Sequence, residues 1–118
     1  MLLKEEMQRV SGMTLSEKLG QMFVTGFPAG EMDDSFRALV KEKKIGNVIL
    51  FKDNLKSAEQ IVALSRDMRA LIHGETGEYP FITVDEEGGV VSRLPESMGK
   101  MPSAMALSSL REPDEVYQ

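Results

Sequence analysis

The stretch Gly46-Asn47-Val48-Ile49-Leu50-Phe51 decides the fold of this 118-residue chain. No polar residue interrupts it from Val48 to Phe51, a pattern typical of a strand that is covered on both faces in a parallel sheet. Phe81-Ile82-Thr83-Val84 has the composition of a further strand, and the β-rich run Met22-Phe23-Val24-Thr25 is bounded by glycine and proline. We therefore predict three parallel strands, near residues 21–26, 47–51 and 81–85.

Helical patterns separate these strands. Thr14 and Glu17 have the spacing of a capping box, in which each side chain accepts a hydrogen bond from a free N–H group at the start of a helix. Apolar residues at helical spacing continue the pattern, and Gly74 is expected to end the longest helix. The predicted helices cover residues 14–20, 34–43, 58–72 and 103–110. Alternation of strand and helix indicates an α/β fold built from parallel βα units.

The composition excludes several classes of protein. The chain has 14 Lys and Arg against 19 Asp and Glu, a net charge of −5, so we expect no nucleic-acid partner. It has no cysteine and a single histidine, His73, which excludes disulfides, zinc held by cysteine and chemistry that needs two histidines of this chain. No apolar run approaches the roughly 20 residues of a membrane span, and residues 1–10 lack the apolar core of a signal peptide. We therefore expect no membrane association and a cytoplasmic protein.

Candidate functional residues follow the third predicted strand, in Asp85-Glu86-Glu87-Gly88-Gly89. Asp85 stands at the carboxyl end of a parallel strand, where barrel enzymes place functional groups. From the residues alone, Asp85 either binds a ligand or caps the following turn. A magnesium site formed by the three carboxylates is a further alternative. Glu87 stands two positions after Asp85, so the alternation of a strand places both carboxylates on one side.

Four segments in order resemble glycoside hydrolase family 3, specifically its β-N-acetylglucosaminidase branch. They are Met13-Thr14-Leu15-Ser16-Glu17-Lys18-Leu19-Gly20-Gln21-Met22, Gly46 to Phe51 with Asn54, Asp85 to Gly89 with Arg93 and Leu94, and Pro102-Ser103-Ala104-Met105-Ala106-Leu107. Two residues depart from the family pattern: Glu86 stands where glutamine is usual, and Val90 stands where arginine is frequent. Neither changes the spacing from Asp85 to Arg93.

The resemblance implies a TIM-like (β/α)8 barrel, which takes roughly 250 residues, so residues 1–118 are expected to hold about three of its eight βα units. Pro113, Asp114 and Glu115 look like the opening of a further helix, so we expect a fragment truncated within a βα repeat. The family's Lys-His motif, its His-Asp acid/base pair and its aspartate nucleophile are expected beyond Gln118. We therefore expect no catalytic residue in this chain.

The same resemblance assigns roles within the chain. Asp85 and Arg93 are expected to bind substrate, while Glu87, Gly88, Gly89 and Asn54 support the loops. Neither a metal nor a cofactor is expected.

The implied parent is a retaining β-N-acetylglucosaminidase that removes terminal N-acetylglucosamine from cell-wall or chitin-type glycans, as in cell-wall recycling. Two alternatives stay open: a β-glucosidase or xylosidase of the same family, and a self-standing α/β module for binding or assembly. Because three strands leave two open sheet edges, we also expect the chain to form a homo-oligomer.

Overall fold

Three parallel strands in the order β1-β2-β3 form the sheet of the computed structural model, which describes residues 2–109. The strands are β1 (Val24–Thr25), β2 (Asn47–Leu50) and β3 (Ile82–Val84). The helices are α1 (Leu2–Gly12), α2 (Leu15–Met22), α3 (Asp34–Lys43), α4 (Ala58–Thr76) and α5 (Ala104–Ser108). Short 3-10 turns occupy Lys52–Asn54 and Glu96–Met98. The helix α3 connects β1 to β2, and α4 connects β2 to β3.

The pairing register separates the two faces of the sheet. Val48 lies beside Ile82, and Leu50 lies beside Val84. Successive residues of a strand point to opposite faces, so these four side chains share the face that packs against α3 and α4. This face carries the core, whose buried members are Phe27, Met32, Phe36, Val40, Val48, Leu50, Leu55, Leu64, Met68 and Ile72.

The other face of the sheet remains open within residues 2–109. Its positions along β2 and β3 include Ile49, Thr83 and the flanking Phe51 and Phe81. Phe51 is 48% exposed, Phe81 is 75% exposed, and Val24 on β1 is 53% exposed. Apolar side chains rarely stay uncovered over several strands, and in a closed barrel this face would be the packed interior. The α/β prediction, with three βα units of an open barrel-like sheet, is confirmed.

The predicted boundaries need two corrections, one at the first strand and one at the long helix. The predicted strand at residues 21–26 is too long, because α2 continues to Met22 and only Val24 and Thr25 pair with β2. The β-rich composition of this run is overridden by the helix that the Thr14 capping box starts. The helix α4 runs through Gly74 to Thr76, because Gly77 adopts the left-handed conformation (φ 76°) and donates its N–H to the carbonyl of His73.

Two terminal regions also differ from expectation. The helix α1 is not predicted by the sequence pattern; its Arg9 forms an ion pair with Glu78 in the loop before β3. The helix predicted at 103–110 is observed as α5, with Ser103 as its N-cap. The helix opening expected at Pro113 lies outside the described residues. No helix in residues 2–109 combines the length and the apolar character that crossing a membrane requires.

Candidate functional site

The candidate site lies where the three strands end. The loop after β1 (residues 26–29) and the turn after β2 border a depression of about 470 Å³. The loop after β3 and the start of α5 border a second depression of about 750 Å³. Ligands of parallel sheets bind at the carboxyl ends of the strands, so this edge is where the chain can present functional groups.

Asp85 follows β3 directly and is exposed. By the alternation of the strand it continues the series of Phe81 and Thr83 on the open face of the sheet. Within residues 2–109 its carboxylate accepts no hydrogen bond, so it does not cap the turn that follows. Both of its oxygens are available to hydroxyl donors, and a carboxylate binds such donors through charge-assisted hydrogen bonds.

Glu86 holds the loop that follows Asp85. Its Oε2 accepts hydrogen bonds from the backbone N–H groups of Arg93 (2.7 Å) and Leu94 (3.0 Å). The hydrogen bond from Leu94, followed by that from Arg93, lowers the pKa of the Glu86 carboxyl. We expected Glu87 to accept the loop N–H groups, but Glu86 does so, while the Glu87 side chain is exposed. One of the two residues that depart from the family pattern, Glu86, is therefore the one that fixes the loop.

Gly88 and Gly89 form the tight turn of the same loop. Both have positive φ angles, 73° and 61°, which glycine adopts at little cost. A Cβ atom at Gly88 would lie 2.3 Å from the carbonyl oxygen of Pro102, so the close return of the chain at residues 101–102 also requires glycine there. The turn is closed by the hydrogen bond from the N–H of Glu87 to the carbonyl of Val91 (3.1 Å).

Arg93 lies on the other side of this loop. It is half-buried, and its Nε is buried without a hydrogen-bond partner in the described part of the chain. No ion pair joins it to Asp85 among residues 2–109. Asp85 and Arg93, which the resemblance assigns together to substrate binding, are therefore not brought into direct contact.

Asn54 joins the loops that follow β1 and β2. It is 1% exposed, and its Nδ2 donates to the carbonyls of Phe27 (2.9 Å) and Ala29. Its Oδ1 accepts from the N–H of Phe51 (2.7 Å). A single side chain thus binds backbone groups of both loops, so the relative position of the two loops depends on Asn54.

The magnesium alternative finds no support in the described residues. In the stretch from 2 to 109, no three His, Cys, Asp or Glu side chains come together in a way that could hold a metal ion. Asp85 points along the open face, whereas Glu86 is engaged by the backbone of residues 93 and 94.

Residues 14–118 match the sequence profile of the glycosyl hydrolase family 3 N-terminal domain. The chain belongs to this family. Its relatives include the β-hexosaminidase of Alkalilimnicola ehrlichii, which is 32% identical over 89 residues, covering 75% of this chain and 24% of that protein. The β-hexosaminidase of Bordetella avium is 33% identical over 88 residues, covering 75% of this chain and 23% of that protein. The family 3 chain thus spans about a quarter of the length of these relatives.

Solved structures of the family agree with the fold. The glycoside hydrolase family 3 β-N-acetylglucosaminidase from Paenibacillus sp. str. FPU-7 is 35% identical with a TM-score of 0.74, over 81% of this chain and 18% of that one. NagZ from Neisseria gonorrhoeae is 27% identical with a TM-score of 0.64, over 77% of this chain and 26% of that one. The family inferred from the four sequence segments is confirmed.

Replacing Asn54 with alanine should destabilise the family 3 chain by about 2 kcal/mol, because the buried carbonyl of Phe27 and the part-buried N–H of Phe51 lose their partner. Chemical denaturation measured by circular dichroism gives the change in the free energy of unfolding. Asp53→Ala is the matched control, since Asp53 is its exposed neighbour in the same turn. Equal losses in the two variants would show that the Asn54 hydrogen bonds contribute nothing specific.

Glu86→Gln should make the stability of the chain less dependent on pH. The pKa of Glu86 is lowered from 4.5 in the folded state, so the unfolded state binds the proton more readily. The stabilisation by the carboxylate is therefore complete above pH 4.5 and is lost as the pH falls through the lower pKa of the folded state. Thermal unfolding should give a higher melting temperature for the wild type than for the variant at pH 7, and this difference should become smaller at pH 3. Glu42→Gln on α3 is the control. A difference in melting temperature between wild type and Glu86→Gln that does not change with pH contradicts the stabilising role of the Glu86 carboxylate.

Proposed function

We propose that this chain forms the N-terminal part of the catalytic barrel of a retaining β-N-acetylglucosaminidase, with Asp85 as a residue that binds the sugar. The observation that carries the proposal is the Asp85 carboxylate at the carboxyl end of β3, which is exposed and accepts no hydrogen bond within residues 2–109. It stands in the Asp-x-Glu-Gly-Gly segment of a family whose relatives are β-hexosaminidases. A carboxylate left free at this position suits the recognition of vicinal sugar hydroxyls.

The proposed substrate is terminal N-acetylglucosamine of a cell-wall or chitin-type glycan, and the proposed setting is cell-wall recycling in the cytoplasm. Two solved relatives support the sugar. The Paenibacillus protein is a β-N-acetylglucosaminidase, and NagZ from Neisseria gonorrhoeae was solved with N-trifluoroacetyl-D-glucosamine. In this proposal Arg93 is the second substrate-binding residue.

The chemistry of a retaining glycosidase needs a nucleophile that forms a covalent glycosyl intermediate and an acid/base on the other side of the bond. In our proposal both groups belong to parts of the barrel other than these 118 residues. Asp85 and Glu87 cannot share the two roles, because they lie two positions apart on one loop and approach a sugar from one direction. The chain contributes binding and positioning, and each catalytic group that it lacks is worth several orders of magnitude in rate.

Titration of the isolated chain with N-acetylglucosamine should therefore give weak binding without turnover. We expect saturable NMR shift changes at residues 85–89, with a dissociation constant of about 1 mM or above, because one carboxylate supplies only part of the affinity. Asp85→Ala should abolish these changes, while Glu87→Ala, a matched exposed carboxylate, should keep them. A chromogenic N-acetylglucosaminide should not be hydrolysed above background.

Two results count against the proposal. Hydrolysis by the purified chain that disappears in Asp85→Ala contradicts the assignment of the catalytic groups to other residues. Identical titrations for wild type and Asp85→Ala contradict the role of Asp85 in binding.

The open face of the sheet supports a second proposal, that copies of the isolated chain associate through it. Val24, Phe51 and Phe81 are exposed there, and β1 and β3 each have one edge that no other described strand pairs with. Such a face and such edges favour association with another chain. In a longer polypeptide the remaining strands of a barrel would cover the same surface.

Light scattering at tens of micromolar should give a mass above that of one chain, and unfolding should depend on protein concentration. Phe81→Ser should shift the mass toward the monomer, because it removes an apolar group that is 75% exposed on the open face. Val62→Ser is the control, since Val62 is 69% exposed on α4, away from the sheet. A monomer mass for the wild type, or equal effects of both variants, contradicts association through this face.

A further inference from the structure

The loop after β3, residues 85–94, contains both residues that are proposed to bind the sugar. Asp85 opens this loop, and Arg93 lies near its end. The two side chains do not pair with each other anywhere in the described part of the chain, residues 2–109. Their relative position is therefore set by the backbone of the loop and by whatever holds that backbone.

Asp85 is held on one side by the sheet. The preceding residue, Val84, lies beside Leu50 of β2, so the backbone that enters Asp85 belongs to the ladder of the two strands. The Asp85 side chain is exposed and its carboxylate accepts no hydrogen bond within residues 2–109, so it does not fix itself. The direction of this carboxylate depends on how the chain is held at the next residue, Glu86.

The Glu86 side chain supplies that second attachment. Its Oε2 accepts hydrogen bonds from the N–H of Arg93 at 2.7 Å and from the N–H of Leu94 at 3.0 Å. The two bonds reach seven and eight residues along the chain and close the base of the loop. Leu94 packs against the core, so Glu86 connects the start of the loop to the packed part of the molecule.

Both hydrogen bonds are made to a charged acceptor. The hydrogen bond from Leu94, followed by that from Arg93, lowers the pKa of the Glu86 carboxyl from 4.5, so the group is ionised at neutral pH. Hydrogen bonds to an ionised group are roughly twice as strong as those between neutral groups. The base of the loop is therefore closed by strong, directional contacts.

The other hydrogen bonds of the loop lie nearer its tip. The N–H of Glu87 donates to the carbonyl of Val91 at 3.1 Å, and the N–H of Gly89 donates to the carbonyl of Met101 at 3.0 Å. Within residues 2–109, the bonds accepted by Glu86 are the only ones that join residues 85–86 to residues 93–94. Their loss should loosen the base of the loop and leave the glycine turn closed.

We propose that Glu86 is a positioning residue for sugar binding, which sets the direction of the Asp85 carboxylate and the distance from Asp85 to Arg93. The role rests on the proposed function, in which Asp85 and Arg93 bind the sugar. Glu86 acts on the backbone of the loop rather than on the sugar. A loop that is already ordered loses less conformational freedom when the ligand binds, so it binds more tightly than a loose one.

The experiment is an NMR titration of the 118-residue chain with N-acetylglucosamine in the wild type, Glu86→Ala and Glu86→Gln. Glu86→Ala should weaken binding about tenfold and speed the amide hydrogen exchange of Arg93 and Leu94 in the sugar-free chain. Glu86→Gln should bind within about twofold of the wild type, because an amide oxygen is also an acceptor and one oxygen accepts both hydrogen bonds.

Glu87→Ala is the matched control. It removes the same charge from the neighbouring residue, whose side chain is exposed, and should change neither the affinity nor the exchange of Arg93 and Leu94. The amide signals of α4 should stay unchanged in every variant, which separates a loosened loop from a lost fold. If Glu86→Ala does not fold, Glu86→Asp takes its place: it keeps the charge, withdraws the oxygens by one methylene and should weaken binding about threefold.

The proposal is overturned if Glu86→Ala binds the sugar as tightly as the wild type, or if Glu86→Gln binds as weakly as Glu86→Ala. Equal weakening by Glu87→Ala also overturns it, because the loss of charge would then be the cause.

A wild type that does not bind the sugar contradicts the proposed function instead, and the sugar-free chain then tests the positioning role. A change of the Asp85 Cγ chemical shift in Glu86→Ala, together with faster exchange of Arg93 and Leu94, supports it. An Asp85 shift equal to that of the wild type overturns it.

Discussion

Two asparagine side chains, one at each end of β2, form hydrogen bonds to the backbone of neighbouring segments, and the rest of the structure depends on these hydrogen bonds. At the start of β2, Nδ2 of Asn47 donates to the carbonyl of Gln21 at 2.9 Å, and its Oδ1 accepts from the N–H of Phe81 at 3.1 Å. After its end, Asn54 binds the loop after β1 and the turn after β2. Both side chains are buried, 7% and 1% exposed. A side-chain amide can donate and accept at once, so one residue satisfies backbone groups of two segments that strand pairing does not reach.

These contacts explain how strands of two to four residues can position a site. The ladder between β1 and β2 has only two residue pairs, which is too short to fix the direction of the loop that follows. Asn54 supplies the missing constraint, and Gln60 extends it by donating to the carbonyls of Gly30 (2.7 Å) and Asn54 (3.0 Å). The first turn of α4 is thereby tied to both loops. After β3 the same purpose is served by the Glu86 carboxylate, which holds the return of the chain at Arg93 and Leu94.

Sequence patterns could predict the parts of this structure that depend on local spacing. The apolar run of β2, the stripe of α4 and the Thr14 capping box each involve residues a few positions apart, and each is observed. The boundaries of β1 and the role of Glu86 could not be obtained in the same way. The start of β1 depends on how far α2 continues, which the β-rich composition of residues 21–26 does not show. Whether Glu86 or Glu87 accepts the hydrogen bonds of the loop depends on which side chain faces the backbone of Arg93 and Leu94. The one available signal was that Glu86 replaces the usual glutamine of the family, a residue that can also accept through its side-chain oxygen.

Hydrogen-bond satisfaction separates the polar residues at the two ends of the sheet into two groups. Asn47, Asn54 and Glu86 use their acceptors or donors on the backbone of the same chain, which is what a structural role requires. Asp85 and Arg93 do not: the carboxylate accepts nothing within residues 2–109, and the guanidinium keeps a buried Nε without a partner. Water solvates the exposed carboxylate of Asp85, whereas the buried Nε of Arg93 lowers the stability of the folded chain while it has no partner. Among residues 2–109 the two side chains form no ion pair with each other. Two charged groups of opposite sign that do not pair with each other are suited to contacts with different groups of one ligand, as the proposed binding of a sugar by Asp85 and Arg93 requires.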